Sequence, residues 1–246
     1  IGVDLVIWTL AENEEGLHRF AREVGAHYGI QIGNQDALNR WHLAEFALSS
    51  VELGLVQFKP TVTYHQEFSL QDFRVEPFPA EPGLVMTRVQ CLAGQPEYQR
   101  FRRLAEMTPD LRWRHYGHCG PQDDLWGGNA PTTSQVAEQM RNAGLIYHYK
   151  SWSDGYGHVI HNAFAVGRPI FVNMGYYRDK LAGRLMVDGQ TCIDLGSRSD
   201  DELASLALRF YREPEAAGEL GAAARLRFEQ VVDFAAQAAE IRTLLE

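Results

Sequence analysis

The 246 residues contain only three cysteines, Cys91, Cys119 and Cys192, which stand far apart with no C-x-x-C pair. That spacing gives no support for zinc or dithiol redox work, and an odd count fits a reducing compartment. No apolar run approaches the roughly 20 residues that cross a bilayer, and no basic start followed by an apolar middle marks a secretory leader. The chain is therefore expected in the cytoplasm, with peripheral membrane contact as the largest membrane role left open. Neither G-x-G-x-x-G nor the P-loop pattern occurs, which argues against dinucleotide or NTP binding by those routes. Positive charge is also scarce: 23 Lys and Arg face 32 Asp and Glu, a net charge of -9. A nucleic-acid partner, which needs clustered cations, is not expected. The one basic cluster, Arg100, Arg102, Arg103, Arg112, Arg114 and His115, is interleaved with Glu106 and Asp110. It reads as a solvated helix face and adjoining strand.

What is present belongs to an ordinary globular chain, with 45% hydrophobic and 22% charged residues and length enough for one large or two modest domains. Short β-branched and aromatic runs alternate with helical patterns, the sign of βαβ units and a parallel sheet. Strands are predicted at 3–10, 28–32, 45–48 and 62–65. Between the first two, Leu17, Phe20, Ala21 and Val24 recur at helical spacing and Gly25 stops the helix. Residues 69–83, "SLQDFRVEPFPAEPG", carry three prolines and no periodicity and read as a linker. Beyond it, strands are predicted at 84–89, 111–116, 145–149, 169–173 and 191–195. A capping box of Ser199 with Glu202 opens a later helix, and an Ala-rich helical tail is predicted over 215–245. Trp41, Trp113, Trp126 and Trp152 read as core or interdomain packing, although Trp152 lies in a loop where it could stack on a sugar or base.

The densest chemistry lies in "KSWSDGYGHVIHNAFAVGRPIFVN", residues 150–173. It falls at a strand-to-helix junction, and in parallel α/β sheets ligands bind at the carboxyl ends of strands. A helix start offers unpaired N–H groups and about half a positive charge, suited to a diphosphate. Gly155 and Gly157 let backbone approach closely, and Lys150 supplies a full charge. The same spacing equally fits a tight turn in which the glycines bend the chain and Asp154 caps the helix. His65 and Glu67, in "YHQEF" at the end of a predicted strand, are of the residue types that act as a general base or contact an acceptor hydroxyl. His158 and His161 lie three apart without an evident third ligand, so no metal site is expected; His158, beside the glycine loop, is the better candidate for ligand contact.

"SDGYGHVIHNAFAVGRPIFV" resembles the donor-site signature of GT-B glycosyltransferases: an acidic residue before Gly-aromatic-Gly, a second acidic position eight further on, and a small-residue helix ending in Gly-x-Pro. Asp154, Gly155, Tyr156, Gly157, Ala163, Gly167 and Pro169 fall on that pattern. The likeness spans residues 45–246, and residues 1–44 fit the later half of the family's first domain. It implies an α/β, GT-B-like fold of two Rossmann-like parallel-sheet domains. Residues 1–75 would be the latter part of the acceptor-side domain and 76–246 the donor-binding domain with its helical tail. It implies sugar transfer from a nucleotide-diphosphate sugar to a hydroxyl acceptor. Arg88, Lys150, Gly155, Tyr156, Gly157, His158 and Asn162 would bind the donor, Asp154, His65 and Glu67 would serve the chemistry, and no metal or other cofactor would be needed. The departures are specific. Asp154 replaces the family's usual Glu, Asn162 stands where Glu normally holds the ribose, and "RVQCLAGQPEYQ" lacks the lysine that usually joins the arginine on the phosphates. The family's glycine-rich acceptor-side loop has no counterpart in this sequence. A noncatalytic nucleotide-sugar-binding module, or an epimerase or hydrolase on the same fold, stays open.

Overall fold

The structure is a computed structural model that describes residues 4–8, 14–32, 43–50, 60–78, 81–88, 96–117, 123–152 and 154–246. Cys91, Cys119, Trp41 and the stretch following Arg88 lie outside the described residues.

The first sheet is built from β1 (Leu5–Trp8), β2 (His27–Ile32), β3 (Phe46–Ser49) and β4 (Thr61–Thr63), with α1 (Glu14–Val24) after β1. All neighbours are parallel and follow chain order, Leu5 beside His27, Gly29 beside Phe46 and Ala47 beside Thr61. One apolar cluster joins Val6, Tyr28, Ile30 and Ile32 to Ala21 of α1. α1 packs more loosely than its period suggests: of its four predicted core positions only Ala21 is fully buried, while Phe20 and Val24 are 45% and 42% exposed.

The second sheet holds β5 (Leu84–Arg88), β6 (Arg112–Tyr116), β7 (Leu145–His148), β8 (Ile170–Val172) and β9 (Ile193–Asp194) in the parallel order β6-β5-β7-β8-β9. Between them run α2 (Pro96–Met107), α3 (Thr133–Asn142), α4 (His158–Val166) and the short α5 (Met174–Tyr177) with a 3-10 turn at Leu181–Leu185; α6 (Asp200–Arg212), α7 (Pro214–Val231) and α8 (Phe234–Leu245) follow. Because side chains alternate across a strand, Val85, Leu145, Tyr147 and Phe171 face one core with α2 and α6. Met86, Ile146, Ile170 and Val172 face the other with α3, α4 and α7. Both faces are covered, as a parallel sheet requires. α4 and α7 pack closely: a Cβ on Gly221 would stand 2.2 Å from the Gly167 carbonyl oxygen, so only glycine fits there.

The predicted helical tail proves to be two helices. α7 ends at Val231, and Asp233 starts α8 by accepting from the amide of Ala236. α8 then returns to the first sheet, where Ile241, Leu244 and Leu245 pack against the core of Phe46, Leu48 and Val62. The proline-rich segment is not a free tether either. Arg168, 2% exposed, donates to the carbonyls of Glu76, Pro77 and Arg141 at 3.2, 3.0 and 2.6 Å, and its guanidinium lies over Phe78. Arg141 donates to the carbonyl of Asp72. The segment therefore has no core period of its own because its backbone is held by side chains from the second domain.

Candidate functional site

The strand order fixes where a ligand belongs. The chain leaves β5 for β6 on one side and comes back to β7 on the other, so the carboxyl ends of β5 and β7 flank the topological switch point. A cleft of about 590 Å³ opens there, between the crossing segment, which contributes Glu67 and Phe73, and the second sheet, which contributes Arg88, Thr132, His158 and Asn162. Arg88 ends β5 and donates to the Ala130 carbonyl at 3.2 Å, which holds its half-buried guanidinium ahead of α3. His158 and Asn162 are one turn apart on α4 and so share a face.

The start of α4, like those of α5 and α7, has no capping side chain. α3, α6 and α8 are capped by Thr132, Ser199 and Asp233. At α4 the cap is Gly157 in a left-handed conformation (φ 78°), which makes no side-chain cap bond. The amide of Ile160 donates to the Gly157 carbonyl at 3.0 Å, while those of His158 and Val159 have no capping side chain and stand in the positive field of the helix end. Asp154 spends its carboxylate one step earlier. Its Oδ1 accepts from the Gly157 amide at 3.0 Å, and its Oδ2 accepts from the Tyr177 hydroxyl at 2.8 Å with His148 Nε2 at 3.4 Å. His148 Nε2 lies 2.9 Å from the Tyr177 oxygen, and because that hydroxyl's proton goes to Asp154, the imidazole is the donor. Tyr176 and Lys180 grip the Asp154 backbone, at the amide and carbonyl respectively, both at 2.9 Å. Burial alone would push the Asp154 carboxyl up, but the hydrogen bonds from His148 and Tyr177 and the charges of His148 and Lys150 outweigh it and hold the group well below the usual carboxylate range. Burial lowers Lys180 to about 8 against the opposing pull of Asp154.

A second buried cluster ties the loop to the first domain. Tyr156 stacks on His161 with centroids 4.0 Å apart, and its hydroxyl donates to the Gln66 carbonyl at 3.3 Å. His161 bonds the Gly157 carbonyl through Nδ1 and His65 Nδ1 through Nε2, each at 3.0 Å. Burial is the main cause that lowers both rings, His65 to about 4 and His161 to about 3.

Of the residues singled out from sequence, Glu67, Arg88, His158 and Asn162 meet on the cleft. Gly155, Tyr156, Gly157 and His65 are buried, Asp154 is partly exposed, and none of the five lines the cleft. Asp154, expected to orient a ligand, spends its oxygens on Gly157, Tyr177 and His148 in this structure and so positions the α4 start. Lys150 follows β7; its carbonyl accepts from Asn173 at 2.9 Å, and its charge acts on Asp154. Sequence reasoning missed His148 and Lys180, which complete the framework; polar residues set at the end of a buried strand and behind two tyrosines were the available signal. Trp152, expected in packing, is 54% exposed. The basic cluster is largely neutralised: Arg100 and Arg103 pair with Asp200, Arg102 with Asp123 and Asp124, and Arg112 with Glu81. Among the described residues no group of three or more His, Cys, Asp and Glu is placed to hold a metal ion, and no helix is long and apolar enough to cross a membrane.

No protein-family model and no curated protein matches the chain. Solved structures do. The Anabaena protein HepE, in complex with UDP and glucose, superposes with a TM-score of 0.72 at 12% identity over 98% of this chain and 77% of its own. A glycosyltransferase from Rickettsia africae gives 0.69 at 8% identity over 99% and 76%. The pneumococcal O-GlcNAc transferase GtfA, with UDP and GlcNAc, gives 0.64 at 16% identity over 98% and 56%. The architecture is that of GT-B glycosyltransferases, with the second domain the better formed of the two.

Proposed function

We propose that the protein transfers a sugar from a nucleotide-diphosphate donor to a hydroxyl acceptor. The observation that carries this is the uncapped start of α4 facing a cleft that also holds Arg88, at the switch point of the sheet. That is a site for a dianion with a polar group attached. The UDP and sugars held by HepE and GtfA on the same fold support the reading.

In the proposed reaction the bond between the sugar's anomeric carbon and the diphosphate oxygen breaks, and the electron pair leaves with the diphosphate. The acceptor oxygen bonds to the anomeric carbon and gives up its proton. Arg88, the α4 amides and the nearby charge of Lys150 stabilise the negative charge that gathers on the leaving group. Glu67, exposed on the cleft rim, is the carboxylate available to take the acceptor proton; His65, buried two residues earlier, is the first-domain side chain proposed to meet the sugar or acceptor. Asn162 meets the ribose. Its Oδ1 is buried beside the cleft with no partner among the described residues, a deficit that a ribose hydroxyl removes. Asp154 and Tyr156 keep the loop in shape. A cytoplasmic location belongs to the same proposal and rests on the unpaired, buried thiol of Cys192.

Three results are expected in titration calorimetry. UDP binds more tightly than uridine, because the helix start and Arg88 act on phosphate charge; equal affinities would remove the phosphate site. Asn162→Ala weakens UDP binding by about 1 to 3 kcal/mol, the usual cost of stranding a buried partner. An unchanged affinity would leave Asn162 as a helix residue only. A chelator leaves UDP affinity unaltered, since the neutralising charge comes from Arg88 and backbone amides; a large loss on adding it would require a bound cation. Release of UDP from UDP-glucose or UDP-N-acetylglucosamine, followed with and without an acceptor mixture, separates transfer from hydrolysis and from binding alone.

A further inference from the structure

His161 has no exposed surface, yet it sits in the middle of an apolar helix. Its two ring nitrogens are fully used, and the order of protons along them can be deduced. A carbonyl oxygen only accepts, so the bond to Gly157 requires the proton of His161 on Nδ1. Burial keeps His161 and His65 neutral at pH 7, with the charge of Arg184 also acting on His65 and the charge of Asp154 too weak to restore the proton on His161. Each ring therefore has one proton. That of His161 is spent on Gly157, so its Nε2 is a lone pair. His65 must then donate from Nδ1 across the 3.0 Å contact. Its single proton is committed, and Nε2, on the opposite edge of the ring, is a lone pair with no partner among the described residues.

We infer that His161 is a positioning residue: it fixes His65 in the Nδ1–H tautomer, so that His65 presents a hydrogen-bond acceptor to a substrate hydroxyl. This deepens the glycosyl-transfer reading and rests on it for the identity of the hydroxyl. The alternative tautomer would present a donor, which suits a carbonyl or phosphate oxygen and discriminates against an alcohol that must give up its proton. The stack of Tyr156 on His161 and the edge contact of Tyr156 with His65, at 6.2 Å between centroids, pack against both rings, whose planes stand 62° apart.

The tautomer is measurable without substrate. In a two-bond 1H–15N correlation spectrum of the labelled full chain at pH 7, His65 and His161 are both expected as neutral Nδ1–H rings. Finding His65 as Nε2–H, or either ring protonated on both nitrogens, overturns the inference. Two substitutions test the cause. In His161→Asn the amide nitrogen replaces Nδ1, keeping a donor for Gly157 while removing the acceptor for His65, so His65 is expected to shift to Nε2–H. In His161→Gln the amide oxygen reaches the position of Nε2, and His65 is expected to stay Nδ1–H. With UDP-glucose as probe, kcat for UDP release is expected to fall about tenfold in His161→Asn and to recover to within threefold in His161→Gln, while the affinity for UDP itself changes less than twofold in both. A merely structural role would lower both variants alike, or lower UDP affinity together with kcat, and either result overturns the inference. If the wild-type protein releases no UDP from UDP-glucose or UDP-N-acetylglucosamine, the activity proposed above falls, and the tautomer shift alone decides the role of His161.

Discussion

Arg168→Met is expected to lower the unfolding free energy by about 3 kcal/mol, because it strands the carbonyls of Glu76, Pro77 and Arg141 away from water. In a chain of this size that is a drop in melting temperature of about 10 °C. Methionine fills most of the space, so the loss reports hydrogen bonding more than packing. Arg168→Lys keeps the charge but has no planar fork to serve three carbonyls at once, and an intermediate loss is expected. Thermal and urea unfolding of the three proteins check the order. If Arg168→Met melts with the wild type, the proline-rich segment is held by something other than this arginine.

The second large effect is on acid stability. The folded values of His65 and His161, about 4 and about 3, lie below the ordinary 6.5. The unfolded chain therefore takes up protons that the folded protein refuses. Their contribution is complete above pH 6.5 and is lost as pH falls toward the folded values. Each ring costs about 1.4 kcal/mol per pH unit across that interval. Asp154 adds a later stage of the same sign: its folded value is depressed from 3.8, so its stabilisation is present above that value and lost only below it. Urea midpoints are expected to decline steadily from pH 6.5 to 4, and replacing both histidines with glutamine is expected to flatten that decline while leaving the fall below pH 4. A flat profile in the wild type over pH 6.5 to 4 would show that the two rings are not buried neutral.

The second domain was legible because β5, β7 and β8 are buried along almost their whole length and helical patterns separate its strands. Each of the nine predicted strands overlaps an observed one, and the Ser199–Glu202 capping box starts α6 as its spacing requires. The α4 loop was legible as a strand-to-helix junction with a glycine start, but the use made of Asp154 was not. Its partners Tyr177 and His148 lie 23 and 6 residues away, and only the fold makes them neighbours. The break between α7 and α8 escaped because an Ala-rich run keeps a helical period through it; Asp233, an N-cap residue in that run, was the signal. For α1 the period was right and the burial was not: a helix pattern shows which residues share a face, while how much of that face is covered depends on its neighbours. His161 falls on an otherwise apolar helix and could be read as ligand or core; its pairing with His65 joins residues 96 apart.

The polypeptide passes from the first sheet to the second after β4 and comes back between α7 and α8. Those two passages meet. Phe68, on the outward one, packs against Phe228 and Phe234, on either side of the return, with centroids 5.8 and 5.5 Å away, and the amide of His65 donates to Gln237 of α8 at 2.9 Å. A substitution at Phe68 therefore loosens both passages at once, while the bonds of His161 to His65 and of Tyr156 to Gln66 remain as a separate tie between the two sheets.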